Sequence, residues 1–273
     1  MQKISVILLV LALSLSAGAR PKVKSTPANR AAPVARAEET PNPRDLIKKN
    51  DWQTRGKTFE SLVTMRVVRG DVIRKLEIQL WAKGTEKSLV KVIAPERERA
   101  NGMLRLGIDF WNFAPSVDRV QKISPSMMKL AWMGADFSNG DLVRSTNLSR
   151  YYEHRITGQE PIDGRDSYRI ESHPRRGAPV EDGKIVTWLT RAETLLVRQE
   201  YFGGDGKLER TVVGKNFQHV GDHFFPGTLV VTKAGETGSF TQIDYRAVQF
   251  DRPIAETTFT QEFLRKRIEN PYP

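Results

Sequence analysis

From residue 57 onward, apolar and polar positions come in short runs broken by turn residues, and many runs alternate with a period of two. Leu76-Glu77-Ile78-Gln79-Leu80 and Lys87-Ser88-Leu89-Val90-Lys91-Val92-Ile93 are the clearest. That period puts alternate side chains on opposite faces of a strand, so such a run predicts one buried face and one wet face. The β-rich runs are 58–68, 72–82, 88–93, 103–106, 110–113, 147–156, 167–172, 185–190, 195–202, 208–217, 224–232 and 238–250. Hairpin signals lie between them at Gly70-Asp71, Asp163-Gly164, Asp182-Gly183 and Gly204-Asp205-Gly206. Sequential strands joined by short turns predict an antiparallel meander, a strongly curved sheet of about ten strands whose apolar face must be covered. The covering elements are few: Arg44–Asn50 after Pro43, Ser126–Met133 after Pro125, and Asn139–Val143 read as short helices.

The first 43 residues break this pattern. Residues 1–19 carry Lys3, an apolar run from Ile4 to Leu15 and Ala17-Gly18-Ala19, which predicts a cleaved signal peptide and a periplasmic protein. A run of 12 residues is too short for a bilayer span, and no later run approaches the roughly 20 that a span needs. Residues 20–43 hold five prolines, scattered Ala and Val and five basic residues, and read as a flexible arm. Residues 44–273 are expected to form a single domain.

Charge and chemistry narrow the function classes. Taking +3 for the arm and +1 for Lys3 from the net +11 leaves +7 on residues 44–273. The Lys and Arg residues are dispersed rather than gathered on one helix, which argues against nucleic acid and leaves transient contact with an anionic membrane surface as the use of the charge. With no cysteine, thiolate metal sites, thiol catalysis and lipidation at an N-terminal Cys are excluded. His219 and His223 are four apart, but Gly221 between them argues against one helical face, so neither a metal nor a cofactor is expected. No nucleophile elbow, phosphate loop or His-Glu-x-x-His motif occurs, and no nucleophile–base pairing is legible.

The informative stretch is 95–143, where two of the five Trp and four of the six Met fall. Met and aromatic side chains together make adaptable apolar surface suited to an acyl chain. Here the chain resembles the LolA-like, outer-membrane lipoprotein-sorting family of periplasmic carriers. The matching residues are Pro95, Gly102-Met103-Leu104-Arg105, Asp109-Phe110-Trp111-Asn112-Phe113-Ala114-Pro115, and above all Trp132-Met133-Gly134-Ala135-Asp136-Phe137-Ser138-Asn139-Gly140-Asp141-Leu142. The likeness runs from about residue 44 to Leu264 and includes Phe259-Thr260-Gln261-Glu262-Phe263-Leu264.

The resemblance implies an incomplete, strongly curved antiparallel β-barrel of the LolA/LolB kind, with short helices over its open side and a lipid, acyl chain or acylated protein in its hollow. The first helix, Arg44–Asn50, looks much reduced for that family. The candidate lipid-contacting residues are Trp81, Met103, Trp111, Phe113, Met127, Met128, Trp132, Met133 and Phe137. Gly134, Asp136, Ser138 and Asp141 are candidates for shaping the motif's turns and caps. The expected function is a non-enzymatic carrier between envelope membranes, or to and from an inner-membrane transporter. A second reading is a periplasmic sensor or accessory subunit of a transporter or signalling complex, built on the same barrel.

Overall fold

The computed structural model describes residues 40–269, apart from 145–147, 179 and 181. The predicted signal peptide and the arm as far as residue 39 lie outside the described residues. The strands are β1 (Thr58–Arg69), β2 (Val72–Lys83), β3 (Lys87–Ala94), β4 (Gly102–Leu106), β5 (Asp109–Ala114), β6 (Arg119–Lys122), β7 (Tyr152–Ile162), β8 (Arg165–Pro174), β9 (Lys184–Thr190), β10 (Leu196–Phe202), β11 (Leu208–Val220), β12 (His223–Lys233) and β13 (Ser239–Phe250). Among the described residues four α-helices accompany them: α1 (Pro43–Arg55), α2 (Asn139–Arg144), α3 (Leu148–Tyr151) and α4 (Gln261–Arg265).

All thirteen strands join one antiparallel sheet in the order β6-β5-β4-β3-β2-β1-β13-β12-β11-β10-β9-β8-β7. The chain starts in the middle at β1, steps outward to β6, crosses to the far edge at β7 and returns to β1 through β13. The sheet stays open because β6 and β7 do not pair, and the crossing segment bridges its two edges. The predicted meander is what forms, with two differences. Strand β6 was not expected, since Arg119-Val120-Gln121-Lys122 has one apolar residue and no alternation. The run predicted to begin at Asn147 starts as strand only at Tyr152, because α3 takes Leu148–Tyr151.

The sheet register separates two faces. In one row, Leu80 pairs with Val90 and Val90 with Met103; in the next, Trp81 pairs with Leu89, Leu89 with Leu104 and Leu104 with Trp111. Adjacent rows point to opposite faces. The first belongs to an inner cluster with Val63, Met65, Val67, Leu76, Ile78, Val92 and Phe110. The second belongs to an outer cluster closed by Phe259, Phe263 and Leu264 from the C-terminal segment. On the other half of the sheet the inner cluster of Tyr152, Tyr168, Ile170, Ile185 and Leu189 is covered by Ile47 of α1 and Leu148 of α3.

Helix α1 runs from Pro43 to Arg55 rather than stopping near Asn50, so the first helix is not the reduced one expected. Asn42 caps it by accepting from the Arg44 amide at 2.9 Å, and Pro43 sits at the first helical position. The second half was hidden because Lys48-Lys49-Asn50-Asp51 has no apolar face. Tertiary contacts hold it instead: Gln53 donates to the Glu193 carbonyl at 2.9 Å, and Trp52 stacks on His223 at 4.4 Å. It ends at Gly56, whose φ of 56° suits glycine and where a Cβ would fall 2.5 Å from the Asp251 carboxylate.

Candidate functional site

The segment that follows β6 lies over the inner cluster as a strap, residues 123–139. Ile123 and Trp132 are buried in that cluster, and Met127, Met128, Met133 and Phe137 pack against it. Five of the sequence candidates therefore come from the strap, and Met103 meets them from β4. Trp132 is 6% exposed and stacks on Phe137 with ring centroids 5.9 Å apart. The other three candidates do not join them. Phe113 is buried in the outer cluster, and Trp81 and Trp111 pack against it. The sequence grouped them by composition, but strand alternation sends them through the sheet to the side covered by α4.

The strap is not the α-helix expected over Ser126–Met133. It makes one 3-10 turn at Pro125–Lys129 and another at Trp132–Gly134. Trp132 N–H donates to the Phe137 carbonyl at 3.0 Å and Ala131 bridges to Ser138, which folds the chain back before a second helical turn can form. Met133 (φ 49°) and Gly134 (φ 71°) take the tight corner. That strains the methionine and suits the glycine.

The motif's polar residues tie this loop to the sheet. Asp136 is 1% exposed, forms an ion pair with Arg69 of β1 at 2.9 Å and accepts from the Thr241 hydroxyl of β13 at 2.7 Å. Arg69 also donates to the Gly134 carbonyl at 2.9 Å, and Arg74 of β2 to the Met133 carbonyl at 2.7 Å. Asp141 accepts from the Ser138 amide at 2.7 Å and pairs with Arg210 of β11 at 2.6 Å. Gly134 thus sits at a positive-φ corner, and Asp136, Ser138 and Asp141 take part in the hydrogen bonds that hold the loop. Arg69, Arg74, Arg210 and Thr241 were missed, because 59 to 105 residues separate them from their partners.

Two recesses are lined by charged side chains. One, of about 550 Å³, lies between the strap and the β9–β12 side; its charged lining is Lys129, Asp136, Asp141, Asp182, Glu209, Arg210 and Lys233. The other, of about 340 Å³, lies between α1, α3 and the β2–β3 hairpin, with Lys48, Asp51, Trp52, Arg55, Thr85, Ser149 and Arg150 on its walls. Burial raises the Asp51 carboxyl to about 6 against the opposing pull of Arg55. Arg105, on the inner face next to Phe110, is 3% exposed. Burial first, and then the positive charge of Arg55, bring it down to about 10, with Glu86 and Tyr151 pulling the other way.

The histidines have separate partners. His219 stacks on Phe224 at 3.8 Å, whereas His223 stacks on Phe250 at 3.9 Å with its Nε2 3.1 Å from Asp251. His154 and Ser172 face each other on β7 and β8, Nδ1 to Oγ 2.8 Å, a pair the sequence did not reveal. Ser172 is fully buried, and burial together with the charges of Arg175 and Arg44 drops His154 to about 4, so this pair is a weak base on an enclosed hydroxyl. Among the described residues, no group of three or more His, Asp or Glu could hold a metal ion.

An open antiparallel sheet, mainly β, whose inner face is covered by a short segment running between its edges defines the LolA-like class of fold. A LolA superfamily protein from Nitrosomonas europaea is 23% identical, with TM-score 0.70 over 82% of this chain and 100% of that one. A putative outer membrane lipoprotein-sorting protein domain from Vibrio parahaemolyticus is 19% identical, TM-score 0.73, covering 82% and 98%. A DUF1329 family protein from Desulfovibrio piger is 22% identical, TM-score 0.76, covering 81% and 97%. No curated protein matches the chain. The family described only as "-like: Uncharacterized protein" matches residues 84–266, about two-thirds of the length, and the chain belongs to it.

Proposed function

We propose that the protein is a non-enzymatic carrier in the bacterial periplasm that takes a lipid, an acyl chain or an acylated protein under its strap. One observation carries the reading. Among the described residues, the inner cluster within the β1–β6 half is covered by a loop that presents Met127, Met128, Trp132, Met133 and Phe137 to a sheet face holding Met65 and Met103. Polarizable, unbranched methionines repack at low cost, so a chain of variable shape can take the place of the loop's own side chains. At about 25 cal/mol per Å² of apolar area, enclosing roughly a dozen methylenes offsets much of the cost of leaving a bilayer. The lipoprotein-sorting description of one structural relative supports the same reading.

The test is organic extraction of protein purified from cell envelopes, followed by lipid mass spectrometry and titration of the emptied protein with a fluorescent fatty acid. A single thiol can be placed at Leu130, which is 55% exposed, in a chain with no cysteine of its own. A dye there should change emission as the acid binds. Absence of extracted lipid together with no fatty-acid binding would falsify the carrier reading.

A further inference from the structure

Of the six methionines in the chain, the five after Met1 are Met65, Met103, Met127, Met128 and Met133. All five meet at the contact between strap and sheet: Met65 and Met103 belong to the inner cluster, and the three strap methionines pack against it. The chain has no cysteine, so it offers an oxidant neither thiol nor disulfide. Its reactive sulfur is thioether sulfur, and that sulfur is gathered where the strap meets the sheet.

Burial divides the five. Met65 is 1% exposed and Met103 3%, whereas Met127, Met128 and Met133 are half-buried. An oxidant dissolved in water therefore meets the strap methionines first. The cluster they pack against includes Val67, Leu76, Ile78, Val92 and Phe110, none of which has a side-chain donor for an oxygen placed on sulfur. A sulfoxide is polar and accepts hydrogen bonds, so it is better placed in water than on that surface. The strap's polar anchors contain no sulfur: Asp136 is held by Arg69 and Thr241, and Asp141 by Arg210. Oxidation thus weakens the apolar hold of the strap and leaves its charged end in place.

We propose that Met127, Met128 and Met133 are an oxidation-sensitive catch, which a peroxide opens by turning them into sulfoxides and a methionine sulfoxide reductase closes again. In the forward step a sulfur lone pair attacks one oxygen of hydrogen peroxide and the O–O bond breaks. The leaving hydroxide takes up the proton of the transferred oxygen and becomes water; sulfur is oxidised by two electrons and the peroxide reduced by two. The reductase returns two electrons from a dithiol and removes the oxygen as water. The inference goes beyond the carrier reading and does not depend on it, since it concerns the strap's own contacts with the sheet.

The experiment treats the full chain with hydrogen peroxide and follows sulfoxide at each methionine by peptide mass spectrometry. Strap opening is read as the rate of trypsin cleavage after Lys129, an exposed residue, before and after oxidation, with circular dichroism as the folding control. The wild type is compared with the triple variant Met127→Leu, Met128→Leu, Met133→Leu and with the double variant Met65→Leu, Met103→Leu. The strap methionines should oxidise about tenfold or more faster than the sheet pair. Cleavage of the oxidised wild type should rise about tenfold, and treatment with methionine sulfoxide reductase and dithiothreitol should return it to its starting rate. The double variant should respond as the wild type does, and the triple variant should not respond. Sheet methionines oxidised as fast as those of the strap, or an oxidised strap cleaved at the original rate, overturns the catch. So does an equal response in the triple variant. Loss of the β-sheet signal in step with cleavage, or a change that the reductase does not reverse, also overturns it, because the oxidation is then damage to the core.

Discussion

Lys91 shows how a residue that reads as surface in the sequence becomes a structural pin. It is fully buried on the outer face, donates to the Ala100 carbonyl at 3.0 Å and to the Leu264 carbonyl, and its ammonium stands 5.4 Å from the Phe113 ring centre. Gly102 across the ladder makes room, since a Cβ there would come 2.8 Å from the lysine Cδ. Burial lowers its pKa to about 8. Between about pH 8 and 10.5 the unfolded chain holds this proton and the folded one does not, so stability should rise with pH through that window, by up to about 3 kcal/mol. Urea midpoints at pH 7.5 and 10 measure it, with Lys91→Met as the reference for all other groups. An identical pH dependence in the two proteins would sink the assignment. The sequence could not show this burial: alternation marks which positions share a face, but not that residues 259–264, some 170 positions away, come back to cover Lys91.

At the scale of elements, the strap is held mainly by charge-assisted contacts at its far end, which makes it separable from the sheet. Asp136 is the centre, because its carboxylate meets both Arg69 and Thr241 while buried from solvent. Asp136→Ala leaves a guanidinium and a hydroxyl without their partner, and the expected loss is about 2–4 kcal/mol, reduced from the fully buried case because Arg69 is partly exposed. The strap should loosen before the sheet does. Trypsin cleavage after Lys129, an exposed residue, should then accelerate in Asp136→Ala while the β-sheet dichroism at low temperature stays unchanged. Unaltered cleavage with reduced global stability would instead make this segment an inseparable part of the core. Trp132→Asp sharpens the contrast. With its ring 6% exposed in the inner cluster, a carboxylate there should detach the strap and cost several kcal/mol. The motif's own residues were legible, since turn glycines and capping carboxylates have local signatures. Its anchoring arginines were not, because a charged residue in a strand looks the same whether it faces water or a buried acid.

Across the whole molecule the sheet acts as a partition, and the five tryptophans sample both sides of it. Trp132 lies in the inner cluster and Trp52 at the α1 recess. Trp81 and Trp111 belong to the outer cluster, and Trp188 packs with Val186 and Val197 on the opposite face from its neighbour Leu189. The strands themselves were readable from their period, so the mainly β, strongly curved sheet was too, while the open barrel came from the resemblance of residues 95–143 to the LolA-like family. The seam that unites the halves was not, since β1 meets β13 by pairing Phe59 with Phe250, and nothing local in either strand names its partner. This arrangement makes the place of a bound chain measurable. In single-tryptophan variants, the others replaced by Phe, a fatty acid brominated near its methyl end should quench Trp132. Trp81, Trp111 and Trp188 should keep their emission, because contact quenching does not cross a packed sheet and the inner and outer faces are separated by its full thickness. Quenching of Trp81 or Trp111 in place of Trp132 would put the chain under α4 and reverse the assignment of the two faces.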